Sequence, residues 1–155
     1  MTTPSGGSRW QGRQRAREAA LQMLYQTEIG QLSVAEAVGS HGAIAATETI
    51  DLDEDARDYA VALARGSWLD RQVIDQYIAG AAHNWRVERL TVIDRLLLRL
   101  AVHELLSHPA TPPRVVIDEA IELARTYSGE DAAKFVNGVL DGVFRKLKEE
   151  GKVVE

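Results

Sequence analysis

From Gly12 onward the apolar residues fall at spacings of three and four, and no run alternates apolar and polar residues as a half-buried strand would. The pattern predicts an all-α fold of about seven helices. The first runs from near Arg13 to Ile29 and stops at Gly30, with Leu21, Leu24 and Tyr25 turned inward. Ser33 and Glu36 have capping-box spacing and open a short second helix. Gly39–Asp53 is rich in Gly, Ala, Ser and Thr, which predicts the most mobile loop. Asp53 then caps a long helix reaching Gly80, whose buried stripe is Tyr59, Leu63, Gly66, Val73 and Tyr77. A turn over Asn84–Leu90 anchors Trp85. Thr91–Ser107 has only a narrow polar strip (Arg95, Arg99, His103), so it should be the centre of the fold. Pro109, Pro112 and Pro113 break the chain. Val115–Tyr127 buries Val116, Ala120, Leu123 and Tyr127, and Gly129 is left-handed. Asp131 caps a last helix with Phe135, Val139, Leu140, Val143 and Leu147 inside, where Gly138 and Gly142 allow a neighbouring helix to approach closely.

At 155 residues and 45% hydrophobic content, the chain suits a single domain. The expected division is a disordered basic arm over 1–11, a helical domain over 12–149 and a tail over 150–155. No run matches the roughly 18 uncharged apolar residues of a membrane span, and Met1–Ser8 lacks the order of a secretory signal. The chain has no cysteine and four scattered histidines, so neither a disulfide nor a metal site is expected, and a cytoplasmic setting is. The net charge of −5 argues against indiscriminate coating of nucleic acid. Its distribution changes the picture: residues 1–25 carry +3 and the remaining 130 carry −8. A basic end on an acidic body suits a selective binder of phosphates.

The arginines Arg9, Arg13, Arg15 and Arg17 supply that charge. On a helix Arg13 and Arg17 lie one turn apart on one face, and a guanidinium can grip a phosphate or stack on an unpaired base. A solvated helix start would explain the cluster equally well, except that cations at a helix N-terminus oppose its dipole. Trp10 is a candidate base-stacking ring, although an aromatic in an arm is more often incidental. Asp118, Glu119 and Glu122 are acids in a first helical turn, where the dipole favours them. His103 and Glu104 are adjacent and diverge, so they do not make a catalytic pair. Arg145, Lys146 and Lys148 sit at a helix end that favours cations. Asn137, on an otherwise apolar stretch, reads as a buried amide that pins a loop, with RNA contact the weaker alternative. No catalytic motif, phosphate loop or cofactor motif is present, and the chain is not expected to be an enzyme.

Several stretches resemble the NusB family in order and spacing. They are Arg13–Glu18 with Leu21 and Leu24–Tyr25, then Asn84–Trp85 and Arg89–Leu90, Ile93–Arg95, Leu98–Ala101, Glu104–Leu105, Val116–Ala124 and Lys134–Asp141. The resemblance implies two small helical bundles packed at a large angle. It also implies a transcription antitermination factor that pairs with the ribosomal protein NusE, binds single-stranded boxA RNA and joins the elongating RNA polymerase, notably on ribosomal RNA operons. By position, the RNA surface would comprise Arg13, Arg15, Arg17, Asp131, Lys134 and Phe135, and Tyr25 and Asp94 would meet NusE. The resemblance implies no cofactor. A helical protein-interaction or homodimer module without RNA binding is the alternative.

Overall fold

The computed structural model describes residues 6–47, 52–83 and 89–153, with side chains described over 12–40, 52–83 and 89–153. Among the described residues all regular structure is helical, in seven helices: α1 Gly6–Gly30, α2 Val34–Thr47, α3 Glu54–Leu69, α4 Arg71–Ala81, α5 Val92–Ser107, α6 Pro113–Ser128 and α7 Glu130–Glu149. They form two compact units, Met1–Arg65 and Gly66–Glu155.

In the first unit, α1 begins at Gly6, well before the expected start near Arg13, so residues 6–11 are helix rather than a disordered arm. The Trp10 side chain and the Asn84–Trp85 anchor lie outside what is described. α1 packs on α2 and buries Ala16, Ala19, Ala20, Leu21, Met23 and Leu24. Alanines at four-residue spacing give a flat face, and α3 contributes Ala56, Ala60, Leu63 and Ala64 to the core. Tyr25, expected inward, is 41% exposed, because it falls one residue past the Leu21–Leu24 stripe. The chain leaves α1 with Gln31, not a glycine, in the left-handed region at φ 57°.

Both predicted caps form. The Glu36 backbone N–H donates to Ser33 Oγ (3.0 Å), and the Ser33 N–H donates to Glu36 Oε1 (3.1 Å). The Ala56 N–H donates to Asp53 Oδ1 at 2.8 Å. α2 is longer than predicted and continues to Thr47 through the stretch read as loop. Its alanines are good helix formers and outweigh its two glycines.

In the second unit, the predicted long helix ends at Leu69, and α4 starts afresh at Arg71. Arg71 donates to the Trp68 carbonyl (2.7 Å) and stacks 4.1 Å from the Trp68 ring centroid, closing the corner at Asp70. The re-aimed α4 buries Ile74 and Ile78, while Val73, assigned to the stripe, is exposed. α5 packs on α4, α6 and α7 and is the central helix, as its broad apolar surface predicts. The polar strip of α5 is not solvated. Arg99 donates from Nε and Nη2 to the two Asp75 carboxylate oxygens of α4, at 2.8 and 2.7 Å. His103 is buried over Gly66, where a methyl group would overlap the imidazole ring.

α6 starts on Pro113, a position suited to a residue without an N–H. Its Tyr127, expected inside, is exposed. Gly129 takes φ 97°, as a residue between two helices must here, and it is also the cap residue of α7. Asp131, predicted as the cap, lies instead in the first turn and makes no capping bond. α7 buries Ala133, Val136, Val139, Leu140, Val143, Phe144 and Leu147. Phe135 is only half-buried, and Asn137 is exposed, so it does not pin a loop. Of the two glycines, Gly142 receives a neighbour: a Cβ there would stand 3.1 Å from that of Ala81. Residues 150–153 are not a loose tail. Lys152 Nζ donates to the Tyr77 hydroxyl and that hydroxyl donates to Glu150 Oε1, both at 2.6 Å, and Val153 is buried.

Candidate nucleic-acid and partner interfaces

α1 presents its arginines on two different sides. Arg13 and Arg17 share one face, as their spacing requires, but that face turns inward. Arg17 is 4% exposed. Arg13 is 18% exposed, its guanidinium carbon 3.6 Å from the centroid of Tyr59 and Nη2 3.9 Å from Asp55 Oδ2. Both partners belong to the α3 portion of the same unit. Arg15, about 200° around the helix, is exposed. Because α1 begins at Gly6, Arg13 stands beyond the first turn, where the dipole penalty has faded, and Asp55 offers it a counter-charge. Arg15 therefore carries the accessible charge, while Arg13 and Arg17 hold the helix that displays it.

Asp131 and Lys134 are exposed near the start of α7, and the half-buried Phe135 lies one turn beyond Asp131. Glu130 beside them is held below the usual carboxylate range, first by the Arg125 hydrogen bond (2.6 Å) and then by the positive charges of Arg125 and Lys134. Arg125 also bonds Glu122, so one guanidinium clamps the α6–α7 corner that sets the start of α7.

Of the predicted partner residues, Tyr25 is exposed on α1, and Ile29, 53% exposed, follows one turn later. That pair is an apolar contact surface of which sequence reasoning named only Tyr25. The four-residue spacing of the two was the available signal. Asp94 lies in the first turn of α5, where its N–H donates to Thr91 Oγ1 (3.2 Å). The residue is 9% exposed, and its Oδ1 is buried without a hydrogen-bond partner among the described residues. A carboxylate oxygen left so is costly unless a donor reaches it. Arg13, Arg15, Arg17 and Tyr25 belong to the first unit, and Asp94, Asp131, Lys134 and Phe135 to the second.

Residues 14–145 match the model of the NusB family. The chain belongs to the NusB family. The transcription antitermination protein NusB of Symbiobacterium thermophilum is 40% identical over 141 residues, covering 88% of this chain and 91% of that one. The Myxococcus xanthus protein of the same name is 44% identical over 131 residues, covering 84% and 93%. Among solved structures, T. maritima NusB superposes with a TM-score of 0.76 at 34% identity, covering 97% of this chain and 99% of its own. A crystal structure of the antitermination factors NusB and NusE in complex with double-stranded RNA gives 0.77 at 28% identity, covering 88% and 98%. No described helix is long and apolar enough to cross a membrane, and no described group of three His, Cys, Asp or Glu residues could hold a metal.

Proposed function

We propose that this protein is an RNA-binding transcription antitermination factor that pairs with NusE and takes single-stranded boxA RNA. The observation that carries the reading is the likeness, over nearly the whole of both chains, to the NusB solved with NusE and RNA. That structure holds a duplex, whereas the accessible groups here suit an unpaired strand: an arginine and a lysine for phosphates, and a phenylalanine ring edge for a base. Arg15 and Lys134 contact phosphate, Phe135 stacks, and Arg13 and Arg17 support the start of α1. Asp131, acidic and exposed, is the weakest member of the set because it repels phosphate.

NusE docks on the Tyr25–Ile29 pair and supplies a donor to the orphaned oxygen of Asp94. A basic partner fits a body whose charge is −8 outside residues 1–25. The pair joins elongating RNA polymerase and suppresses termination, notably on ribosomal RNA operons, in the bacterial cytoplasm and without catalysis.

Binding of fluorescent boxA-like RNA, scrambled RNA and a duplex, with and without NusE at two salt concentrations, tests this. Preference for the single strand, strengthened by NusE and weakened by salt, is expected. Equal or no binding of all three would refute it. Sedimentation of the free protein shows whether it forms a homodimer.

A further inference from the structure

Gly138 stands near the middle of α7, on the solvent side, and a Cβ built there would meet nothing within 4 Å. A glycine inside a helix costs stability relative to alanine, and usually some neighbour needs the space. Gly142 has such a neighbour in Ala81; Gly138 has none in this chain. Its surroundings are polar. Lys134 lies one turn before it, Phe135 three residues before it, and Asn137 beside it. Asn137 is exposed and its amide makes no hydrogen bond to any described residue, although asparagine is also a poor helix former. Asp141 closes the far end of the patch, its charge offset by Arg145 at 4.0 Å.

We propose that Gly138 is a notch in α7 that seats one nucleotide of a single-stranded RNA against the helix backbone, with Asn137 reading the edge of its base. This rests on the RNA-binding reading above and adds two residues to it. Lys134 holds the adjoining phosphate and Phe135 flanks the ribose or base. The amide of Asn137 carries both a donor and an acceptor, so it can discriminate among bases where a lysine cannot. A second protein helix would need an apolar strip at this place, and Lys134, Asn137 and Asp141 do not provide one.

The test compares the full chain with Gly138→Ala, Asn137→Ala and Lys134→Ala by thermal melting, sedimentation and anisotropy on the boxA-like and scrambled RNAs, with NusE present. Gly138→Ala should raise the melting temperature by about 2–4 °C, since alanine is the better helix former and its methyl meets nothing. It should nevertheless weaken boxA-like RNA about tenfold. Lost binding in a more stable protein cannot be blamed on misfolding. Asn137→Ala should cut the preference for boxA-like over scrambled RNA about tenfold and leave the salt dependence unchanged. Lys134→Ala should reduce the salt slope by about 0.7.

If Gly138→Ala and Asn137→Ala bind RNA as the unchanged protein does, the inference is overturned and the RNA-binding function stands. If the unchanged protein binds neither RNA, both fall. Altered self-association with RNA binding intact would assign the face to a second copy and overturn the inference as well.

Discussion

Replacing Arg15 and Arg17 separately with alanine should divide two properties that their spacing of two residues would otherwise link. Arg17 is buried. Its truncation removes about two methylenes at roughly 0.8 kcal/mol each and hydrogen bonds of a charged group worth about 1.5–3 kcal/mol, less the desolvation that is relieved. A loss of about 2–4 kcal/mol is expected, seen as a melting temperature lower by about 5–15 °C. Arg15 is exposed, so its alanine variant should stay within about 0.5 kcal/mol of the unchanged protein. That variant should lose RNA affinity severalfold, with a salt slope shallower by about 0.7. Circular-dichroism melts and RNA titrations at three salt concentrations read both effects. An Arg17→Ala protein that melted normally, together with an Arg15→Ala protein that bound RNA normally, would refute the division of roles between the two faces of α1.

Three further outcomes follow from the packing. Gln31→Gly should stabilise the fold by up to about 1 kcal/mol in urea unfolding, because a non-glycine residue at φ 57° is strained. Burial first, and the nearby His108 second, push the His103 imidazole below its ordinary pKa, against the opposing pull of Asp70 and Glu104. The folded protein then binds fewer protons than the unfolded chain, so stability is fully present above the ordinary histidine range and is lost as pH falls through it. Unfolding midpoints from pH 8 to 5 should show that loss, and His103→Gln should flatten this part of the profile. Arg99→Ala should cost about 1–3 kcal/mol by leaving the Asp75 carboxylate without its bidentate partner between α4 and α5, again read as a urea midpoint.

Spacing of apolar residues was enough to locate α5 and α7, whose stripes are long and strongly one-sided, and local hydrogen-bond chemistry was enough for the caps at Ser33 and Asp53. The corner at Asp70 was not legible, because the residues on either side keep a helical period and the interruption is made by an arginine folding back on Trp68. Composition misled at α2, where glycine and serine among alanines read as loop. At the candidate site, the shared face of Arg13 and Arg17 was readable, but not its direction. Only Tyr59 and Asp55, more than forty residues away in the chain, reveal that it turns inward. Asn137 failed in the opposite sense: apolar neighbours in sequence suggested burial, whereas helical rotation carries position 137 to the edge of the solvent face.

The imidazole of His103 seated on the bare backbone of Gly66 has a consequence for how this sequence can change. Neither residue is free to vary alone: any side chain at 66 needs a smaller occupant at 103, and any larger ring at 103 needs the corridor at 66 kept open. Within the lineage of this protein the two sites should drift as a pair. A designer who fills one without emptying the other will unseat the end of α3 from the central helix.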